Sequence, residues 1–489
     1  MKITELMQLP AAPPSAEPVS TDPEIAGLTV DSRQVRPGFL FAAWRGASTD
    51  GRRFAGEAVA KGAVAILTDD SAALDLDDRA RSRVAIVADP NPQRRLALAA
   101  ARFYGRQPAT IAAVTGTNGK TSVAHFTREL WSALGHNAAS LGTLGLVTEN
   151  SRRPGSLTTP DSVALHRELA ELAADGVDHA AIEASSHGLD QCRLDGVAIA
   201  AAAFTNLTRD HLDYHGDMAA YRAAKERLFT VLLPPRAAAV LNANSDEFDR
   251  LSQLCKSRGQ TVIGYGASAA AGLRIVARTP HRGGQSLVLD LFGARRELTL
   301  PLVGEFQAMN ALAALGLAVA TGSRLEPAAA ALERLGPVPG RMQLVGEPNR
   351  AAVFVDYAHT PDALATVLSA LRPHAEGRLA VVFGAGGDRD RGKRPLMGRV
   401  ATELAGRVYV TDDNPRTEDA AAIRRAILAA APGAVEIGDR RAAIVAAIAE
   451  LRPGDVLVIA GKGHESGQIV GRETLPFDDV EVAREAIGA

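Results

Sequence analysis

The chain has 489 residues, a length that predicts about three domains rather than one hydrophobic core. Its 46% apolar and 22% charged residues are typical of a soluble globular protein. A formal net charge of −2 excludes general electrostatic attraction to nucleic acid or to an anionic membrane. The amino-terminal residues lack the apolar core of a signal peptide, and no apolar run is long enough to cross a bilayer. Cys192 and Cys255 form neither a metal motif nor a disulfide framework, so we expect a cytoplasmic protein without membrane insertion.

Residues 1–105 alternate short strand-like runs with a helical run, which predicts a small α/β domain. The strand candidates are LTVDSR, GFLFAAW, AVAILTDD and RVAIVAD, and the helix candidate is AGEAVAKG. Polar turns at residues 31–33 and 46–50 could contact a ligand or be ordinary surface turns. Local composition does not decide between these alternatives.

The stretch IAAVTGTNGKTS combines a buried strand, a glycine-rich turn and the start of a helix. Gly116 and Gly119 let backbone N–H groups surround anionic oxygens, and the helix that follows presents its positive end. Lys120 is expected to reach the β- and γ-phosphates of a nucleotide, and the Thr121 hydroxyl to ligate Mg²⁺. The general pattern has glycine where this chain has Val114, so the loop is a shortened variant. The alternative is a plain turn beside a surface lysine.

Residues 106–340 continue as a larger parallel sheet, in which Glu183 and His211 follow two predicted strands. In doubly wound sheets the carboxyl ends of the strands face the ligand crevice. Both residues are therefore candidate Mg²⁺ ligands, although Mg²⁺ prefers oxygen to nitrogen. The alternative is a pair of structural polar residues at strand ends. The neighbouring Asp210 is expected to be solvated, and local composition makes Lys225 a surface cation on a helix.

Beyond the central parallel strands, the sequence predicts an antiparallel extension of the sheet and then a separate carboxy-terminal domain. The stretch from LRIVARTP to ELTLPL alternates polar and apolar residues with turns, which predicts an antiparallel addition to the sheet. GEFQAMNALAALGLAVATG is predicted to be an amphipathic helix. Residues 337–341 indicate a boundary, and residues 341–489 contain further strand–loop–helix units that predict a Rossmann-like domain.

Cationic residues gather in the loops of this last domain: Arg389, Lys393, Arg416, Lys462 and His464. Surface loops are often charged for solvation alone, yet these loops all follow predicted strands. The cluster suits a ligand that carries carboxylates. Arg416 is the most informative member, because a guanidinium can bind a carboxylate through two parallel hydrogen bonds and lysine cannot.

Nine segments in this order resemble the Mur ligase family, including its diaminopimelate-adding members. They are TGTNGKTS, LTTPD, EASSHGLDQCR, FTNLTRDHLDYHG, AAKERLF, DYAHTPD, GAGGDRDRGKRPLM, TDDNPR and AGKGHE. The resemblance spans all three predicted domains. It implies an α/β fold of three domains: an amino-terminal UDP-substrate-binding domain (1–105), a central ATPase-like parallel sheet (106–340) and a Rossmann-like amino-acid-binding domain (341–489).

The resemblance further implies an ATP- and Mg²⁺-dependent amide ligase of peptidoglycan synthesis that works through an acyl phosphate. The implied ATP-binding residues are Gly116, Thr117, Asn118, Gly119, Lys120, Thr121, Ser122, Asn310, Arg341 and Asp356. The implied catalytic residues are Lys120, Lys225, His211 and His359. The implied metal ligands are Thr121, Glu183, His211 and Lys225, the lysine acting as a carbamate.

Two small-molecule substrates are implied as partners, a UDP-MurNAc-dipeptide and meso-diaminopimelate, acting on a chain that we expect to be a monomer. The positions that match the family's UDP-substrate site are Val30, Ser32, Ala47, Ser48, Thr49, Thr158, Thr159, Ser185, Gln191 and Arg193. Those that match its diaminopimelate site are Arg389, Asp413, Asn414, Pro415, Arg416, Gly461 and Glu465. The lysine ammonium would repel Arg416, so DNPR argues against a lysine-adding relative. A folylpolyglutamate synthetase and a slow ATP-hydrolysing regulator are the remaining alternatives.

Overall fold

The structure, a computed structural model, describes residues 1–8, 22–46, 49–155, 157–281 and 283–488. It is a three-domain α/β fold with mostly parallel sheets, which confirms the predicted fold class. Contact density divides the chain into two compact units. The first comprises Met1–Ile111, His136–Ala200 and Arg227–Pro234, and the second comprises Ala112–Gly135, Ala201–Glu226 and Pro235–Ala489. No helix within the described ranges combines the length and apolar character that crossing a membrane requires.

The amino-terminal part of the first unit is a four-stranded parallel sheet in the order β1-β2-β3-β4. Its elements are α1 (Ile3–Met7), β1 (Gly27–Thr29), β2 (Phe39–Ala43), α2 (Ala55–Ala60), β3 (Ala65–Thr68), α3 (Asp78–Arg81), β4 (Ala85–Ala88) and α4 (Pro92–Tyr104). Helix α4 begins where the Asn91 side chain accepts a hydrogen bond from the backbone N–H of Arg94, and it ends at Gly105 in the left-handed conformation. These four strands agree with the four predicted ones.

The central part of the chain supplies strands to both units. Its elements are β5 (Thr110–Thr115), α5 (Lys120–Ala133), β6 (Ala138–Gly142), β7 (Gly145–Val147), β8 (Arg152–Arg153), α6 (Ser162–Ala174), β9 (His179–Glu183), α7 (Ser186–Asp190), β10 (Ile199–Phe204), α8 (Leu212–His215), α9 (Met218–Arg227), β11 (Ala238–Asn242), α10 (Phe248–Ser257), β12 (Thr261–Gly266), β13 (Leu273–His281), β14 (Gly284–Leu291), β15 (Ala294–Leu300), α11 (Glu305–Ala320) and α12 (Leu325–Ala331). The strand order is β9-β6-β7-β8 in the first unit and β15-β14-β13-β12-β11-β10-β5 in the second. Strands β13–β15 pair antiparallel, as predicted.

Helix α11 differs from its prediction as an amphipathic helix. Its buried residues include Gln307, Ala308 and every residue from Asn310 to Ala318, so the burial runs around the whole helix. The cause is packing on several sides, because α11 contacts α5, α12, β11 and β12. The abundant alanine and glycine allow this close approach. A helix that is apolar all round is a core helix rather than a surface one.

The carboxy-terminal part of the second unit is a six-stranded sheet in the order β16-β17-β21-β18-β19-β20, parallel except for β16. Its elements are β16 (Gln343–Gly346), β17 (Ala352–Asp356), α13 (Pro361–Leu371), β18 (Leu379–Phe383), α14 (Lys393–Leu404), β19 (Arg407–Val410), α15 (Ala420–Leu428), β20 (Val435–Glu436), α16 (Arg440–Ala449), β21 (Val456–Ala460), β22 (Gly467–Val470), β23 (Glu473–Pro476) and α17 (Asp479–Gly488). Helices α13–α15 pack in one hydrophobic cluster and α16 and α17 in another. Two helical layers around a parallel sheet agree with the Rossmann-like prediction.

Candidate active site

The loop between β5 and α5 has the backbone that a phosphate-binding loop requires. Gly119 lies in the left-handed region with φ 88°, and a Cβ there would lie 2.5 Å from Oδ1 of Asn310. Gly116 has φ 147°, and a Cβ there would collide with the Thr205 hydroxyl. Both positions therefore require glycine. The Lys120 ammonium donates to the carbonyls of Gly116 and Thr117, at 3.0 and 2.8 Å, so a cation lies directly on the loop.

Neighbouring strand ends hold the remaining loop residues. The backbone N–H groups of Thr117 and Asn118 donate to the backbone carbonyl and the side chain of Asn206, both at 2.9 Å. The hydroxyl of Thr205 donates to the Asn118 carbonyl at 2.6 Å. Ser122 is buried in the first turn of α5. The loop conformation is thus fixed by hydrogen bonds within the second unit, and Asn206 is a supporting residue that sequence analysis did not identify.

Lys225 is buried, whereas local composition predicted a surface cation; tertiary packing, not the helix sequence, decides its environment. Its ammonium donates to the Gly116 carbonyl at 2.7 Å. It also lies 4.4 Å from the centroid of the Tyr221 ring, one helical turn earlier on α9. Burial lowers the pKa of Lys225 well below its ordinary value, and the nearby Lys120 charge adds to this effect. A buried amine of low pKa is populated in its neutral, nucleophilic form.

Tyr221 was not identified from the sequence. Its side chain is buried, and its hydroxyl lies 3.1 Å from the hydroxyl of Thr117. Burial raises the pKa of this phenol, so it remains a neutral hydrogen-bonding group. The only sequence signal was the four-residue spacing to Lys225, which places both side chains on one helix face. Tyr221 therefore links the phosphate loop to the buried lysine.

Asp210 is only partly exposed, which corrects the expectation that it is solvated. Burial tends to raise its pKa, but the charges of His211, His359 and Lys120 outweigh that effect and lower it. The side chain of His211 is 44% exposed, and its Nε2 lies 3.4 Å from the Asp210 carboxylate. Asp210 thus brings an anion to a region rich in cations, a position that strand spacing alone could not reveal.

His359 follows β17 and lies close to Lys393. Its Nδ1 is 2.9 Å from the carbonyl of Tyr357, and since a carbonyl can only accept, Nδ1 carries the proton. The Lys393 ammonium donates to the His359 carbonyl at 2.9 Å. Burial lowers the pKa of His359, and the Lys393 charge lowers it further. The neutral imidazole therefore has a free lone pair on Nε2 near neutral pH.

Arg341 connects the phosphate-loop helix to the carboxy-terminal sheet within the second unit. Its guanidinium donates to the Thr121 hydroxyl at 3.4 Å and lies 4.1 Å from the Tyr357 ring centroid. Asp356 is buried and accepts hydrogen bonds from the backbone N–H groups of Met342 and Ala358, at 2.7 and 2.8 Å. Burial raises its pKa, while Arg341 opposes that shift.

Asn310 belongs to the same region. Its side-chain amide donates to Gln307 at 3.1 Å, and its Oδ1 lies against Gly119. The second unit thus assembles the positions predicted for ATP on two neighbouring surfaces: the phosphate loop and the start of the carboxy-terminal sheet.

The first unit contains a separate polar network of predicted substrate residues. The Thr159 hydroxyl donates to the Glu183 carbonyl at 2.7 Å and lies 3.0 Å from the Ser185 hydroxyl. Arg193 donates to the Thr159 carbonyl at 2.6 Å and to the side-chain oxygen of Gln191. These four residues, separated by up to 34 positions in the chain, therefore form one hydrogen-bonded group.

Glu183 is buried at the carboxyl end of β9. Its carboxylate accepts hydrogen bonds from the backbone N–H and the hydroxyl of Thr143, at 2.7 and 3.1 Å. That hydroxyl also lies 3.1 Å from the Thr158 hydroxyl. The carboxylate is thereby fixed in orientation.

The remaining predicted UDP-substrate positions lie near the turns that follow β1 and β2. Val30 is 40% exposed. Ser32 is buried, and its hydroxyl donates to Glu57 at 3.4 Å. Thr49 is exposed, and its carbonyl accepts a hydrogen bond from the backbone N–H of Gly46. Ala47 and Ser48 lie outside the described residues.

The DNPR segment after β19 forms a charged cluster with the loop after β21. Asn414 donates to the Glu465 carboxylate at 2.9 Å and accepts from the buried Lys462 ammonium at 3.1 Å. Asp413 is buried, and a Cβ on Gly461 (φ 117°) would lie 2.6 Å from its carboxylate. The close approach of these two loops therefore requires glycine at 461.

Arg416 lies at the edge of this cluster. Its backbone is in the left-handed region with φ 51°, and its guanidinium donates to the Gly387 carbonyl at 2.9 Å. The Pro415 carbonyl lies against Gly387, where a side chain would not fit. Arg389, in the same glycine-rich loop as Gly387, is exposed. Two guanidinium groups and two carboxylates, those of Asp413 and Glu465, thus belong to neighbouring loops.

Comparison with known proteins agrees with this arrangement. Three family models match: "Mur ligase family, catalytic domain" over residues 24–104, "Mur ligase middle domain" over 114–318, and "Mur ligase, glutamate ligase domain" over 340–463. A relative from Bradyrhizobium diazoefficiens, UDP-N-acetylmuramoyl-L-alanyl-D-glutamate--2,6-diaminopimelate ligase, is 54% identical over 492 residues, covering 100% of this chain and 99% of that protein. The protein of the same name from Caulobacter vibrioides is 54% identical over 477 residues, covering 96% and 97%.

A solved structure of a protein with this name is 35% identical, with a TM-score of 0.72 and coverage of 100% of this chain and 99% of the other. The similarity therefore extends over the whole length of both chains rather than over one shared nucleotide-binding domain. The ranges matched by the family models span the phosphate loop, the polar network of the first unit and the DNPR segment. The chain belongs to the Mur ligase family.

Proposed function

We propose that this protein is an ATP-dependent ligase that joins meso-diaminopimelate to the D-glutamate carboxylate of UDP-MurNAc-L-Ala-D-Glu. The single observation that carries the choice of acceptor is that the neighbouring loops around Arg416 bear both cationic and anionic side chains. The far end of diaminopimelate bears one carboxylate and one ammonium group. Arg416 and Arg389 complement the carboxylate, and Asp413 and Glu465 complement the ammonium. Asn414, Pro415 and Gly461 shape the loops that carry these groups.

The three domains are assigned separate roles in this proposal. Residues 1–105 bind the UDP part of the substrate, with Val30, Ser32 and the loop at Thr49 as contacts. Residues 106–340 bind ATP, and the network of Thr158, Thr159, Ser185, Gln191 and Arg193 holds the muramoyl-dipeptide. Residues 341–489 bind the amino acid. A reaction of three ligands is thereby divided among three surfaces.

The first chemical step transfers the γ-phosphoryl group of ATP to the D-glutamate carboxylate, which gives an acyl phosphate and ADP. Both reactants are anions, so cations must offset their repulsion. Lys120 already lies on the phosphate loop and supplies one charge. Arg341, next to Thr121, supplies another. The glycines of the loop let backbone N–H groups donate to the remaining phosphate oxygens.

The donor chemistry of the predicted metal ligands fits Mg²⁺, which prefers hard oxygen atoms. Thr121 offers a hydroxyl and Glu183 a buried carboxylate. His211 offers nitrogen and fits less well. A bound Mg²⁺ would supply positive charge that offsets the negative charge of the reacting phosphate.

In this proposal Lys225 reacts with carbon dioxide, and the product could provide an oxygen ligand for Mg²⁺. The neutral amine attacks CO₂, a C–N bond forms, and one proton leaves to give a carbamate anion. The reaction needs an unprotonated amine, and the burial of Lys225 favours that form. The product replaces a cation by an anion beside the phosphate loop.

The second chemical step is attack of the diaminopimelate amine on the acyl phosphate. The amine must lose a proton as the C–N bond forms, and inorganic phosphate then leaves. His359 is the proposed base, because its Nε2 is the unprotonated ring nitrogen and its pKa is lowered. Asp210, whose charge acts on His359, stabilises the imidazolium that results.

Phosphate release measured with each substrate omitted in turn tests the whole proposal. We expect release only when ATP, Mg²⁺, UDP-MurNAc-dipeptide and diaminopimelate are all present, and little when lysine replaces diaminopimelate. Turnover that is indifferent to both substrates would favour an ATP-hydrolysing regulator. Turnover with a folate and glutamate would favour a folylpolyglutamate synthetase instead. We further propose that the protein acts as a monomer. We place it in the cytoplasm, where UDP-linked precursors and ATP occur together.

A further inference from the structure

Two histidines and an aspartate lie together at the amino-terminal edge of the sheet in the first unit, away from the proposed chemistry. His136 precedes β6, and Asp178 and His179 lie at the start of β9. The proposed ligand Glu183 is at the opposite end of β9, four residue steps away, which is about 13 Å along a strand. No step of the ligase reaction uses these three side chains.

The three side chains converge on one point. One ring nitrogen from each histidine and one oxygen of Asp178 all lie within 4.8 Å of one another. Nδ1 of His179 is 2.7 Å and Nδ1 of His136 is 4.0 Å from the Asp178 carboxylate. The two imidazole rings are 4.0 Å apart between centroids and tilted by 40°. Two imidazoles held this closely beside one carboxylate are a typical ligand set for a borderline metal ion.

Backbone hydrogen bonds hold the strand starts next to which these residues lie. The N–H groups of Asp178 and His179 both donate to the Asn137 carbonyl, at 3.0 and 3.3 Å. The N–H of Thr110 donates to the Asp178 carbonyl at 2.9 Å, and the register of β6 and β9 pairs Ala138 with His179. Only side-chain rotation is therefore needed to complete a site. This preorganisation lowers the entropy cost of binding an ion.

We propose that His136, Asp178 and His179 form a binding site for a divalent transition-metal ion of the zinc class. Zinc binds nitrogen and oxygen ligands at about 2.0–2.2 Å, which places tetrahedral ligand atoms about 3.4 Å apart. His136, whose side chain is 37% exposed, rotates toward the other two ligands to close that geometry. Water completes the coordination, because the Asp178 side chain is 47% exposed to solvent.

The donor atoms of the cluster favour a zinc-class ion over Mg²⁺. The donor set of two nitrogens and one oxygen disfavours Mg²⁺, which demands oxygen ligands. The site is thereby distinct in chemistry from the one proposed for catalysis.

Isothermal titration calorimetry of the full-length protein with Zn²⁺, in buffer that contains excess Mg²⁺, tests the proposal. We expect one equivalent to bind to the wild type, and at least ten-fold weaker binding to His136→Gln and to Asp178→Asn. Both substitutions are at partly exposed side chains, and circular dichroism checks their folding. Cobalt(II) should give a visible absorption band in the wild type that both variants lose.

Asp175→Asn is the matched control, because this exposed carboxylate lies three residues before Asp178 and outside the cluster. We expect it to bind Zn²⁺ like the wild type. Equal affinity in the wild type and in His136→Gln would overturn the proposal, as would failure of the wild type to bind Zn²⁺. Equal losses in Asp175→Asn and Asp178→Asn would also overturn it, since they would indicate general charge attraction rather than ligation.

Discussion

The side chain of Lys225 donates a 2.7 Å hydrogen bond to the carbonyl oxygen of Gly116, the first glycine of the phosphate loop. Lys120 donates to the same oxygen at 3.0 Å. One neutral carbonyl cannot compensate two ammonium charges, so the more deeply buried lysine is driven toward its neutral form. The phosphate loop itself therefore helps to prepare Lys225 for reaction with carbon dioxide.

Replacement of Lys225 by alanine is expected to lower kcat by about 100-fold or more. The variant cannot form the carbamate, which is the proposed anionic ligand for Mg²⁺ at the site of phosphoryl transfer. Added acetate or propionate should restore part of the rate by occupying the space of the carbamate. Lys256→Ala removes an exposed lysine on α10 and should leave the rate unchanged. Steady-state assays with and without the carboxylate decide the matter, and complete lack of rescue would count against the carbamate.

Lys225→Met should be more stable than the wild type at neutral pH in buffer free of CO₂. The folded pKa of Lys225 lies below that of the unfolded chain, so the unfolded state binds more protons between these two values. Wild-type stability therefore rises with pH through that window, and the advantage of the methionine variant should shrink as pH approaches 10.5. Thermal melts of both proteins across this range test the sign. An advantage that grows with pH would contradict it.

Arg416→Ala should weaken diaminopimelate binding by about 10- to 150-fold, the equivalent of about 1.5–3 kcal/mol for a hydrogen bond to a charged group. ATP affinity should persist, because no predicted nucleotide contact is changed. The control is Arg425→Ala, which removes an exposed arginine of α15 that forms an ion pair with Asp419. Separate Michaelis constants for ATP and diaminopimelate provide the measurement. An unchanged value for diaminopimelate would refute the assignment.

Arg416→Gly separates loss of the guanidinium from damage to the loop. The backbone at this position has φ 51°, where glycine is about 1 kcal/mol or more better than a residue with a Cβ. The glycine variant should therefore be more stable than Arg416→Ala while binding diaminopimelate no better. Thermal melting of the two variants tests this expectation. Restored affinity in the glycine variant would indicate that the loop conformation, rather than the guanidinium, controls binding.

Lys393→Met should raise the pKa of His359, because the charge of Lys393 helps to depress it. If His359 is the base, the acidic limb of kcat/KM against pH should move upward toward the ordinary histidine value of about 6.5. Lys393→Arg keeps the charge and should leave the limb closer to its original position. A pH profile of the three proteins provides the comparison. A limb that stays fixed in Lys393→Met would exclude His359 as its source.

Arg440→Met is expected to destabilise the protein by about 3–5 kcal/mol, because it leaves Asp479 buried without its partner. The two side chains are fully buried and form two hydrogen bonds of 2.7 Å between α16 and α17. The double variant Arg440→Met with Asp479→Leu should recover most of the loss. Arg441→Met, at the next residue in an exposed ion pair with Glu485, should change stability by less than about 1 kcal/mol. Denaturant unfolding of the four proteins measures these differences.

Local patterns were sufficient for the four strands of the amino-terminal sheet, the antiparallel strands β13–β15 and the phosphate loop, because each depends on residues close together in the chain. The strand ends that carry Glu183 and Asp413 followed from the same patterns. Burial was harder to predict. Lys225 lies in a helix that looks polar, and its environment depends on Gly116, more than a hundred residues earlier.

The same limit explains two other differences. Asp210 was expected in solvent, but the segment after β17 brings His359 close enough to lower the pKa of Asp210. Helix α11 was expected to expose one face, but its small residues allow neighbours to pack all round it. In each case the deciding partner comes from a different part of the chain. Composition within a window of one helix cannot contain that information.

The small side chains of α11 also set how the nucleotide site responds to distant change. A Cβ on Gly316 would lie 2.6 Å from the Val240 side chain, so even a methyl group would push the helix from β11. Asn310 lies on the same rigid helix, six residues away or about 9 Å, and its side chain lies against Gly119. A larger side chain at position 316 would therefore disturb nucleotide binding by displacing Asn310, although residue 316 is not itself one of the predicted ATP contacts.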